Sequence, residues 1–291
     1  MPPSVHRFLV YLIALFLLNN STYAQEKKVS LLAEGFYFYP LLFDPTESLS
    51  GAGIFNLWEN NQDVTGIYVP VNIALNQSLI RYNIDSVSGW EFGLQAAAYT
   101  QFEIKEVDGG AYLGGMVNVD YRAIGFLSYR QRRTTLRFRL FHISSHLADD
   151  YLIRNNITTP TPNTLNYEQV DLTASYQWLG IRPYAGFGYI FTPNSIRKRW
   201  SLQLGANYQQ ANREAEFTRL IAGVDIKLFE ENDFTPGYRV GAGIELGQTH
   251  KTHVAFLLDF YHGHLPYSTL EYRRVTWLGI SSMLIPKQLK N

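Results

Sequence analysis

Apolar and polar residues alternate along this chain in one segment after another. Residues 200–209 place Leu202, Leu204, Ala206 and Tyr208 on one side, with Ser201, Gln203, Gly205 and Asn207 on the other. Residues 237–247 repeat the pattern, setting Tyr238, Val240, Ala242, Ile244 and Leu246 against Arg239, Gly241, Gly243 and Glu245. A period of two marks a β-strand, whose successive side chains point to opposite faces. Twelve strands follow: 51–58, 66–75, 89–103, 112–122, 132–146, 165–178, 181–192, 198–211, 217–230, 237–248, 252–264 and 271–284. The stretch 123–131 is ambiguous and extends the fourth strand if the chain bends there.

Two environments suit such strands. In water one face packs on a core; in a bilayer the apolar face meets lipid and the polar face a wet lumen. Nearly every segment has about the ten residues that cross a bilayer at a tilt, which favours the second. Open backbone groups cannot be left in hydrocarbon, so the sheet must close on itself. The expected fold is therefore all-β, a single antiparallel transmembrane β-barrel of twelve strands over residues 51–285. An even strand number puts both termini on the periplasmic side. Short turns should then follow even strands, as Leu179-Gly180 does, and the long connection 147–164 becomes extracellular. A secreted soluble barrel or sandwich is the competing fold.

The N-terminus points to export. Arg7 precedes an apolar run over 8–18, and Thr22 and Ala24 are small residues at the expected cleavage positions. Residues 1–24 thus read as a secretory signal peptide, whose apolar run is too short to span a bilayer. Residues 25–50, with Phe36-Tyr37-Phe38-Tyr39-Pro40 and Asp44-Pro45, read as an N-terminal segment with turns, and 286–291 as a C-terminal tail. Aromatic residues make up 15% of the chain, and Tyr176, Trp178, Tyr184, Trp200, Tyr238 and Trp277 read as interface girdles. A formal net charge of zero argues against nucleic acid as a partner. The absence of cysteine excludes both disulfides and a lipidated N-terminus. Together these place the protein in a bacterial outer membrane with outer-membrane lipids as its partners; oligomeric state is not readable from them.

The fifth strand carries candidate chemistry. Arg137 and Arg139 cannot comfortably face hydrocarbon, so Leu136, Phe138 and Leu140 do, and His142, Ser144 and His146 continue that outward face. A serine needs a neighbouring base to become a nucleophile, and the base needs an orienting acceptor on its other nitrogen. If the following hairpin is symmetric about residue 155, Glu168 lies opposite His142 and Asn166 opposite Ser144. The expectation is a Ser144 nucleophile, a His142 base and Glu168 or Asn166 as orienting group, placed to cleave an acyl ester of a membrane lipid. The bland alternative is a structural barrel or narrow channel whose His-Ile-Ser-Ser-His segment, 142–146, anchors the long loop.

The pairing of His142 and Ser144 with a carboxylate or amide on the next strand resembles outer-membrane phospholipase A and lipid A deacylase, which implies lipid hydrolysis. Ser145-His146 stands where the phospholipase often has Asn-Gly. The segment 141–149, read as H-x-S-S-H-L-x-D, together with Asn166-Tyr167 and the stretch 261–266, is similar to a bacterial family of exported proteins of unknown function. That second resemblance implies an outer-membrane barrel and carries no activity.

Other candidates are weaker. Asp149-Asp150 offers hard oxygen ligands that suit calcium, or is simply a solvated loop. His250 and His253 lie at one end of the eleventh strand and His262 and His264 at the other, so no single zinc site uses all four. Of Arg130, Arg132, Arg133, Arg137 and Arg139, those facing the lumen are expected to pair with acids such as Asp120, Asp171 or Asp225; an anion-conducting lumen is the alternative.

Overall fold

The computed structural model describes residues 29–59, 64–107, 110–158, 165–193, 197–210, 217–287 and 289; the expected signal peptide lies outside them. The strands are β1 Val29–Leu31, β2 Gly51–Glu59, β3 Val64–Asn83, β4 Ser88–Val107, β5 Ala111–Gln131, β6 Thr134–Leu147 and β7 Asn166–Tyr176. They continue with β8 Ile181–Ile190, β9 Trp200–Gln209, β10 Thr218–Phe229, β11 Gly237–Leu246, β12 His253–His264 and β13 Arg274–Ile285. A single short α-helix among the described residues, α1 (Asp149–Arg154), follows β6. From β2 to β13 each strand pairs antiparallel with its sequence neighbour, and β13 pairs back onto β2, from Val275↔Glu59 to Met283↔Gly51. The result is a closed barrel of twelve strands, with β1 added on the free part of the β3 edge.

All twelve expected strands are present. Two, β3 and β5, are about twice as long as alternation suggested, at 20 and 21 residues. β3 runs on through 76–83, so the expected 76–88 connection shrinks to 84–87. A bulge between Ser78 and Ile80 switches the outward positions from Ile73 and Leu75 to Ile80, which hides the strand from a strict period of two. The stretch 123–131 belongs to β5, whose own bulge opposite Gln101/Phe102 leaves Val117 and Asn118 both buried.

The wall is apolar outside and ionic inside. Leu75, Phe138, Leu140, Leu204, Leu220, Leu258 and Ile280 are exposed, whereas Glu91, Arg137, Arg219, Glu245 and Asp259 are buried. A soluble protein has the opposite distribution, so hydrocarbon is the solvent this surface suits. Of the aromatics expected in the girdle, Tyr176, Trp178 and Trp200 are exposed on the outer wall, but two others are not. Tyr184 and Trp277 share parity with inward residues: Tyr184 donates to Asp225, and Trp277 stacks on Tyr261.

The N-terminal segment occupies the lumen. After β1 the chain leaves the wall, runs through the interior over 36–49, and rejoins the wall at β2. Leu41, Leu42 and Phe43 are almost wholly buried. Phe43 packs where Gly223 and Gly241 leave room; a Cβ on Gly223 would stand 2.4 Å from its ring. Glu47 receives Arg137 at 2.8 Å, and Asp44 receives Lys227 at 2.5 Å. Hence the lumenal arginines divide their charges differently from the expected scheme. Arg139 does bond Asp171, but Arg137 is neutralised by the plug, Asp120 accepts from Ser145 and Asn118, and Asp225 accepts from Tyr184 and Gln203.

The two barrel ends differ. The turns 84–87, 132–133, 177–180 and 247–252 lie at one end, where β1 and the end of β13 also sit. Leu179 (φ 46°) and Gly180 (φ 84°) form a two-residue left-handed turn whose flanks, Trp178 and Ile181, exchange both backbone bonds. The long connections gather at the other end. There Leu265, Tyr267 and Leu270 are buried in one cluster with the aromatic rings of Tyr68, Tyr99, Tyr261 and Trp277.

Candidate functional site

β6 and β7 set the geometry. Along β6 the odd positions 135–145 are buried, so Arg137 and Arg139 point inward and His142, Ser144 and His146 outward. Pairing matches His142 with Glu168 and Ser144 with Asn166, the register expected from a hairpin centred on residue 155. On the far side β5 places Ala123 beside His142, Tyr121 beside Ser144, and Gly125 beside Leu140. The polar group therefore lies directly beyond the apolar band of Leu136, Phe138 and Leu140.

The side chains form two pairs. His142 Nδ1 lies 3.0 Å from Glu168 Oε1, with both side chains 48% exposed. Thr192 Oγ1 donates to the second oxygen, Glu168 Oε2, at 3.1 Å, and the Phe191 amide donates to the Glu168 carbonyl. A carboxylate at that distance from His142 can only accept, so Nδ1 carries the shared hydrogen and Nε2 faces away from Glu168. Ser144 Oγ, however, lies 2.7 Å from His146 Nε2 and not on His142. His146 in turn sits near the ring of Tyr121, with centroids 6.2 Å apart. Asn166 is exposed opposite Ser144, and the group that engages His142 is Glu168 rather than the Asn166 amide.

One serine thus stands between two histidines, one anchored by a carboxylate and the other hydrogen-bonded to the hydroxyl. Alternation placed His146 on this face but gave it no part; the i, i+2 spacing on a strand was the signal that could have. Ser145, its neighbour, points inward, bonds Asp120 and Thr269, and ties β6 to the 265–273 connection. Asp150, one of the pair considered for calcium, accepts the Met116 amide at 3.1 Å. Among the described residues no three His, Cys, Asp or Glu side chains group as a metal site.

Three solved structures of outer-membrane phospholipase A share the fold. The Escherichia coli protein is 11% identical, with a TM-score of 0.54 over 86% of this chain and 98% of its own. An active-site mutant of it gives 12% and 0.55 over 86% and 92%. The Salmonella typhi protein, a dimer with bound calcium, gives 11% and 0.54 over 81% and 90%. At such identity the likeness shows the fold alone. No curated protein matches the chain in sequence. The family model described as a protein of unknown function (DUF1207) matches residues 20–284, and the chain belongs to that family.

Proposed function

We propose that the protein is an exported outer-membrane hydrolase that cleaves acyl esters of membrane lipids at Ser144. The observation that carries this reading is the His142–Glu168 pair beside Ser144 on the lipid-facing wall. A carboxylate-anchored imidazole beside a hydroxyl is the arrangement that activates a serine. Rotation of Ser144 about its Cα–Cβ bond to another staggered position turns its hydroxyl from His146 toward His142. Ser144 Oγ then attacks the ester carbonyl while His142 Nε2 takes its proton, and Glu168 stabilises the imidazolium. His142 next delivers that proton to the departing alcohol, and water, activated by the same imidazole, releases the fatty acid. The packed lumen supports this reading over a channel.

The Ser144–His146 bond favours a second reading, in which the segment is a polar clasp and the protein is a structural barrel. Fatty-acid release from phospholipid and lipopolysaccharide in mixed micelles separates the two. Release by the wild type that disappears in Ser144→Ala is the expected result. Equal background release from both proteins would leave the clasp.

A further inference from the structure

The arginines clustered at 130–139 have two fates. Arg137 and Arg139 meet carboxylates, as above. Arg130, Arg132 and Arg133, joined by Arg182 from β8, instead line a cavity open to solvent at the short-turn end. No acidic side chain lines that cavity, and none of the four forms an ion pair with a carboxylate among the described residues.

The hydrogen bonds that Arg130 and Arg182 donate go to backbone carbonyls, which carry no formal charge. Arg130 is only 8% exposed; its Nη2 donates to the Ser86 carbonyl at 3.2 Å, and its Nε has no partner. The Tyr37 ring lies 4.6 Å from its guanidinium carbon and supports one face. Arg182, 7% exposed, donates to the carbonyls of Tyr39 and Pro40, which are neutral acceptors. Asp85, on the neighbouring turn, bonds the amides of Val87 and Ser88 and feels the Arg130 charge without pairing with it. Arg132 has φ 54°, left-handed backbone in which glycine or asparagine sits more easily. The two-residue turn thus carries two arginines at the cavity mouth despite local strain.

We propose that this cavity binds a phosphate-bearing anion. Guanidinium forks match phosphate oxygens in pairs. Four cations also call for more than one negative charge, which a phosphate monoester supplies at about −1.5 to −2 and a lone carboxylate does not. A free phosphate and a lipid headgroup offer the same chemistry.

The folded mature protein, in nonionic detergent at 0.15 M NaCl, is titrated calorimetrically with inorganic phosphate. In parallel its thermal midpoint is compared in phosphatidylcholine nanodiscs with and without phosphatidic acid. Arg130→Gln and the double variant R132Q/R133Q, the latter on an exposed turn and safe for folding, remove the site. Arg274→Gln, an exposed arginine at the opposite end, is the charge control. Saturable binding of phosphate, weakened about tenfold or more in both site variants and unchanged in the control, supports a free-anion site. A midpoint raised only by phosphatidic acid, with the same variant pattern, supports a headgroup site. The proposal is overturned if neither probe acts on the wild type, if the site variants respond as the wild type does, or if Arg274→Gln weakens the response equally.

Discussion

Replacing Glu47 by glutamine tests how the lumenal segment is held. Arg137 donates to both Glu47 oxygens, at 2.9 and 2.8 Å, and the two side chains are 2% and 1% exposed. Arg139 Nη1 lies 3.6 Å from the same carboxylate. Glutamine keeps the shape but removes the charge and turns an N–H toward a guanidinium. Breaking a buried pair by removing one partner costs about 3–5 kcal/mol. At roughly 1.4 kcal/mol per factor of ten, the plug should open two to three and a half orders of magnitude more often. The barrel wall keeps its own backbone ladder, so the loss is local. Hydrogen–deuterium exchange resolves this: amides over 36–49 should accelerate by that factor in Glu47→Gln, with β10 to β12 unchanged. Plug amides that exchange as in the wild type would refute the reasoning, as would equal acceleration of the strands. Pairing Glu47→Leu with Arg137→Met should restore most of the protection, because Arg139 keeps Asp171.

Three further outcomes follow. Gly223→Val should displace Phe43, since even a Cβ there falls 2.4 Å from the ring; about 1–3 kcal/mol of overpacking should raise exchange over 36–49. Glu168→Ala should slow ester release by about two orders of magnitude or more while leaving the heat-modifiable gel shift of the folded barrel intact, and Asn166→Ala should change the rate far less. Burial at the 265–273 connection, beside an Arg197 shared with Glu231, pushes the Glu271 carboxyl up to about 8 from its ordinary 4.5. The folded chain then holds a proton that the unfolded chain has lost, so the stability this group contributes is full below about 4.5 and falls as pH rises through 8. Exchange at the 265–273 amides should quicken over that range, and Glu271→Gln should flatten the dependence.

Alternation made the wall legible because one face of each strand meets hydrocarbon and the other does not. It even set the pairing of His142 with Glu168, since a hairpin's centre fixes its register. It stopped where the period broke, at the Ser78/Ile80 bulge. The plug was opaque for another reason: it has no repeating face, and the partners of Asp44 and Glu47 are 183 and 90 residues away. The inward rings of Tyr184 and Trp277 were missed because aromatic identity outweighed parity. The hydrogen-bond choice of Ser144 between two equally spaced histidines depends on rotamers, which sequence spacing does not encode.

Reactivity of the serine itself is the most direct test. The folded protein is treated with a fluorophosphonate in detergent, and the modified residue is located by peptide mass spectrometry. Stoichiometric labelling of Ser144, slowed by about two orders of magnitude or more in His142→Ala, is expected. A wild-type Ser144 that stays unlabelled, or that labels equally fast without His142, would contradict a nucleophile activated on the barrel's outer face.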